Sequence, residues 1–113
     1  MAPEQIQSCI DACNLCAEAC EQQLHAARAA TGSTERDAEH LLIRDCAALC
    51  RLAAGSLAEV SAAAGVLCLA CAQVCRMCAE ERNAADQLAR ACRHCASECE
   101  RLAGSLPSAT ALA

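Results

Sequence analysis

Cys9, Cys13, Cys16 and Cys20 stand at intervals of four, three and four in the stretch CIDACNLCAEAC. A helix turns by about 100° per residue, so these offsets return the four thiols to one face as a ladder about 16 Å long. Cys46 and Cys50, then Cys68, Cys71, Cys75 and Cys78, then Cys92, Cys95 and Cys99 repeat the device with intervals of three and four. The total of thirteen is odd, which rules out complete intramolecular pairing. Neighbours on one helix face are also poor disulfide partners, because the bridge needs a particular dihedral angle. Rows of thiols facing a core are instead sets of soft ligands, suited to Cu(I), Zn(II) or iron–sulfur clusters. Thiolates in a core are costly alone, and a metal both deprotonates and neutralises them.

Such rows have to be carried by helices that face one another. Pro3 and Glu4 suit a first turn, since proline lacks only an N–H that would be unsatisfied there and the acid favours the dipole. Helix 1 is expected from about residue 4 to 30, ended by Thr31-Gly32-Ser33, and helix 2 from about 35 to 59 with Thr34 and Asp37 at capping-box spacing. Gly55 reads as an interior glycine costing about 1 kcal/mol. Ser61 is the expected N-cap of helix 3, about 62 to 82, and Asn83 its C-cap. Helix 4 is expected over about 85 to 104, ending at Gly104 with Pro107 beyond. No segment alternates like a strand. The expected fold is all-α: an antiparallel up-down-up-down four-helix bundle with a cysteine-lined core. It would form one domain over residues 1–106, with a flexible tail at 107–113.

The cysteines agree in height as well as in face. They lie in the N-terminal halves of helices 1 and 3, and in the middle and C-terminal parts of helices 2 and 4. Antiparallel packing gathers all of them into one half of the core. The other half would hold Gln23, Leu24, Ala27, Leu42, Ala85 and Leu88, with a Glu39–Arg82 pair near the rim. Ile6, Leu57, Leu102 and Leu106 would close the cysteine end.

Zinc prefers closed sets of four tetrahedral ligands, into which thirteen laddered thiols do not divide. Cu(I) accepts two or three sulfurs and tolerates bridging thiolates, so a multinuclear Cu(I) load fits a continuous ladder. An iron–sulfur electron-transfer bundle and a zinc or soft-metal buffer are the alternatives. His25, His40 and His94 lie roughly 100° to 140° off the thiol stripes and read as solvated or rim residues, and Met77, about 100° off, as a helix contact. The charges, Glu98 among them, read as solvated faces. No nucleophile with an assignable base is visible, nor a phosphate loop, so no enzyme is expected.

Composition narrows the setting. The chain has no Phe, Trp or Tyr and a net charge of −5, which argues against nucleic acid or anionic membrane as a partner. No stretch has the roughly 18–20 uncharged apolar residues of a membrane span. MAPEQIQS has neither a basic n-region nor an apolar h-region, so a cytosolic location is expected, where cysteines serve as metal or redox groups.

The helix 1 spacing, together with RDCAALC, CLACAQVCRMC and CRHCASEC in the later helices, resembles that of the bacterial cytosolic copper storage proteins. The resemblance covers roughly residues 6 to 103. It implies a four-helix bundle, multiple Cu(I) ions held along the core by all thirteen cysteines, a homotetramer, and storage or detoxification rather than catalysis. A copper chaperone or efflux partner is consistent with that role. Exported members carry a signal peptide and methionine-rich ends, both absent here. Longer-laddered members have more cysteines, where Gln23, Ala27, Glu39 and Arg82 stand here, and the helix 3–4 link looks shorter and lacks histidine. The expected capacity is on the order of ten Cu(I) ions.

Overall fold

The computed structural model describes residues 3–31 and 37–105. It contains α1 (Pro3–Thr31), α2 (Ala38–Ala58), α3 (Ala64–Glu80) and α4 (Gln87–Ala103). Each helix packs on its neighbours in the chain, and α1 also packs on α4, which closes a four-helix bundle with α1 and α3 on one diagonal. The long dimension of 46 Å is close to the roughly 44 Å that a 29-residue helix spans, so α1 sets the length of the molecule.

The core is built from cysteine and alanine. All thirteen cysteines are at most 2% exposed, and Ala12, Ala17, Ala47, Ala53, Ala72, Ala89 and Ala96 are buried beside them. Small side chains along the seams keep the helices close and bring thiols on four helices into mutual contact. Leu57 and Leu102 are buried at one end, and Ile43 and Leu88 at the other. Because α3 starts only at Ala64 and ends at Glu80, Cys68 to Cys78 span most of its length. The sulfurs therefore fill the middle of the bundle, with an apolar layer at each end, rather than one half of it. α1 runs on furthest past its last cysteine, from Cys20 to Thr31, and α2 continues from Cys50 to Ala58.

Several helix ends differ from the sequence expectation. Asp37, not Thr34, caps α2, its carboxylate accepting the His40 N–H at 2.8 Å. Thr34, Leu106 and the 107–113 tail fall outside the described residues. α3 begins two residues late because Ser61 caps a turn rather than the helix, accepting the Ala63 N–H at 3.2 Å. Asn83 likewise organises the α3–α4 link by accepting the Ala85 N–H at 2.9 Å. Asp86 then caps α4 through the Ala89 N–H.

The α2–α3 link shows a local mismatch between residue and conformation. Val60 adopts φ 53°, the left-handed region where a β-branched residue is strained. Its neighbour Ser61 closes the motif, donating its N–H to the Ser56 carbonyl at 2.9 Å, and Val60 thereby occupies the position where a glycine normally sits. Meanwhile Gly55 lies inside α2 with open space where a Cβ would go. Gly55→Ala and Val60→Gly should each raise the stability of the reduced apo protein by about 1 kcal/mol. Urea midpoints followed by circular dichroism would test this, and a loss of stability in either variant would contradict the assigned conformations.

Candidate metal centre

Each helix projects its thiols inward because intervals of three and four keep them on one face. Antiparallel packing then matches their heights. Cys9 meets Cys99 at 3.8 Å, Cys13 lies 3.6 Å from Cys99 and 3.7 Å from Cys95, and Cys16 lies 3.7 Å from Cys92. On the other side, Cys50 lies 3.6 Å from Cys71, and Cys46 lies 3.6 Å from Cys75. Cys16–Cys75 at 3.9 Å and Cys50–Cys95 at 4.0 Å join the two sides. All thirteen cysteines are free thiols.

Among the described residues the sulfurs form five sets spaced for a metal ion. In order along the axis these are Cys9, Cys68 and Cys99; Cys13, Cys71, Cys95 and Cys99; Cys50, Cys71, Cys75 and Cys95; Cys16, Cys46, Cys50 and Cys75; and Cys16, Cys20, Cys46 and Cys92. Each consecutive pair of sets shares at least one member. With a metal–thiolate bond of about 2.3 Å, sulfurs sit about 4.0 Å apart around a trigonal ion and about 3.8 Å apart around a tetrahedral one. The observed contacts fit either, whereas a linear pair would need about 4.6 Å. The sharing matters more than the distance. At most two of the four-thiol sets can be closed by separate ions at once, so filling the ladder requires thiolates that bridge.

Electrostatics points the same way. The sulfurs are each other's principal hydrogen-bond partners. Cys75 is held far above the ordinary thiol range, first by Cys16 and then by Cys46, Cys50, Cys71 and burial. Cys68 is pushed up to about 12, chiefly by Cys9, with burial adding to it and Cys99 opposing. Cys46 is held low, first by Cys16, because several neighbours hydrogen-bond to its sulfur.

The structure brings together every cysteine singled out from the sequence, although Cys78 belongs to none of the five sets. It contacts the Leu42 carbonyl at 3.7 Å instead. His25 and His94 are exposed and His40 is half-buried, all off the sulfur column, and Met77 is 51% exposed. The Glu39–Arg82 pair forms at 2.7 Å, and Arg82 also binds Asp86 at 2.6 Å. Glu98 departs from the solvated-face reading: it is buried, accepts a hydrogen bond from the Ser8 hydroxyl and pairs with Arg101. The signal was present, since Ser8 and Glu98 immediately precede Cys9 and Cys99, which touch.

The copper storage protein family model matches residues 2–104. The crystal structure of the Nmul_A1745 protein from Nitrosospira multiformis is similar, with a TM-score of 0.81 and 26% identity over 93% of this chain and all of that one. Apo copper storage protein 3 from Bacillus subtilis is similar with a TM-score of 0.72 and 30% identity, over 86% of this chain and 97% of that one. None of the curated proteins matches the chain in sequence.

The chain has neither Lys nor Tyr, so between the ordinary thiol range and pH 12 little besides cysteine titrates. The native Cys68 thiol keeps its proton up to about 12, against about 9 when unperturbed. The folded state therefore binds more protons than the unfolded chain in that window, and stability falls as pH rises through it. Low-titrating sulfurs such as Cys46 are already ionised there and add no slope. Anaerobic urea unfolding of the apo protein should show stability falling progressively from about pH 9 towards pH 12, less in Cys68→Ala. Stability rising with pH across that window would contradict this.

Proposed function

Because the chain belongs to the copper storage protein family, we propose that it stores several Cu(I) ions at once on its core thiolates, as a cytosolic reserve and a protection against free copper. The observation that carries this reading is the overlap of the five thiol sets. A metal that demands four closed ligands can occupy only two four-thiol sets and strands the remaining sulfurs. Cu(I), content with two or three sulfurs and tolerant of bridging, can use Cys9, Cys13, Cys16, Cys20, Cys46, Cys50, Cys68, Cys71, Cys75, Cys78, Cys92, Cys95 and Cys99 together.

Binding is an exchange of protons for copper: each thiol that becomes a ligand releases its proton, and the incoming charge neutralises the sulfur. The role is retention rather than catalysis, in keeping with the copper storage family. No helix among the described residues is long and apolar enough to cross a membrane. Self-association into a tetramer is supported by exposed Leu15, Leu52, Leu69 and Met77, each about half accessible. A chaperone or efflux protein would supply or remove the metal.

Anaerobic titration separates this reading from a zinc buffer or an iron–sulfur carrier. Cu(I) should bind to on the order of ten per chain, whereas Zn(II) should saturate near two, the number of four-thiol sets that can close together. Saturation of Cu(I) near two, or a brown chromophore on anaerobic isolation, would defeat the storage reading. Replacing Cys13, Cys16, Cys71 and Cys75 by alanine should remove about a third or more of the Cu(I) capacity, since these thiols belong to shared sets, while helicity stays close to that of the parent.

A further inference from the structure

Four of the five thiol sets hold four sulfurs, and the one at the Cys9 end holds three: Cys9, Cys68 and Cys99. These three come from α1, α3 and α4 and are fully buried. Their sulfurs lie within 4.8 Å of one another, with Cys9 and Cys99 at 3.8 Å. Cys13 touches Cys99 at 3.6 Å but belongs to the next set along. α2 supplies no thiol to this set. Its last cysteine is Cys50, and the residues that continue its inward face, Ala53, Ala54 and Leu57, are buried alkyl groups. Leu102, one turn past Cys99, and Ala64, one turn before Cys68, are buried as well. Glu98 lies beside Cys99 on the α1–α4 seam, and both of its carboxylate oxygens are engaged. One accepts from the Ser8 hydroxyl and the other pairs with Arg101. Three helices therefore offer sulfur at this level, and the fourth offers hydrocarbon.

Three thiols with an alkyl fourth corner suit a soft centre that makes three bonds and carries a lone pair. Trivalent arsenic and antimony have that form: three pyramidal bonds to sulfur, and a fourth side that wants no ligand. In the four-thiol sets a further sulfur occupies that side. Charge points the same way. Three thiolates around a trivalent centre sum to zero, so the product is buried without a counter-ion. The same three thiolates around one Cu(I) leave a net negative charge, which is costly to bury. We propose that Cys9, Cys68 and Cys99 form a binding site for trivalent arsenic or antimony, taken up as the neutral hydroxide. The proposal stands on the arrangement of the thiols and goes beyond the Cu(I) storage reading.

Uptake is a condensation. Three S–H bonds and three As–OH bonds break, three As–S bonds form, and three water molecules leave. Arsenic stays trivalent, no electron is transferred and no net proton is released. Cu(I) loading differs on the last point, because each thiol that becomes a copper ligand gives its proton to the solvent. Cys9 and Cys68 belong to no other set, so the site can be removed without touching the four-thiol sets along the rest of the column.

The test is anaerobic titration of the reduced full-length protein with arsenious acid at neutral pH in weak buffer. Native mass spectrometry follows the complex, and an indicator dye follows protons. The first equivalent should add the mass of arsenic less three hydrogens, with no proton release. Cys9→Ser and Cys68→Ser should each weaken that first equivalent by on the order of a hundredfold, the loss of one intramolecular arm. Cys20→Ser, at the far end of the column, should bind it like the parent. Arsenic-edge anomalous diffraction from parent crystals loaded with one equivalent gives a readout that no variant has to fold for. It should show one peak, between the sulfurs of Cys9, Cys68 and Cys99. Parent-like affinity in Cys68→Ser, equal weakening by Cys20→Ser, or arsenic spread along the column would overturn the assignment.

Discussion

The constraint on which this structure depends is the neutralisation of thirteen thiols packed into one core. Sulfurs 3.6 to 4.0 Å apart cannot all be thiolates, because like charges at that distance in a weakly polarisable interior repel strongly. Either protons stay on most of them or soft cations replace those protons. The apo bundle takes the first course, through S–H···S contacts. Copper loading is the second course on the same scaffold, and each ion that enters substitutes for protons that leave.

The rest of the fold serves that exchange. Alanine beside cysteine on all four helices lets the backbones approach closely enough for sulfurs on neighbouring helices to touch. An aromatic in any of these seams would force the column apart, and the chain contains none. The polar groups that matter lie at the column's ends. Ser8 and Glu98 sit beside the Cys9–Cys99 contact, and Arg82 pairs with Glu39 and Asp86 at the opposite end. The bundle is thus dry and soft-liganded in the middle, with ionic contacts where its core meets the surface.

Much of this was legible in the residues alone, for a physical reason. Intervals of three and four state both the helix and its inward face, so Cys9 to Cys20 alone imply a helical wall of sulfur. The matching of heights across helices made the shared column readable too. What the pattern did not carry was context set by neighbours. Ser61 and Asn83 look like helix caps but organise turns, because capping residues and turn residues use the same side-chain chemistry. Glu98 reads as solvated until α1 brings Ser8 against it. The sulfurs appeared confined to one half of the core because helix lengths were overestimated for α3 and α4; once α3 is known to end at Glu80, its cysteines span most of it. Cys78 could not be separated from its neighbours by spacing, since its distinction lies in its contact with the Leu42 carbonyl.

The central claim is that one continuous, thiolate-bridged column of Cu(I) replaces the protons of the apo core. Anomalous diffraction at the copper edge from crystals of the fully loaded protein tests it most directly. The account predicts a string of copper sites along the bundle axis from the level of Cys9 to that of Cys20, with cysteines such as Cys16, Cys50, Cys71 and Cys99 each bound to more than one ion. Two isolated sites, each closed by four cysteines that share no ligand, would contradict it.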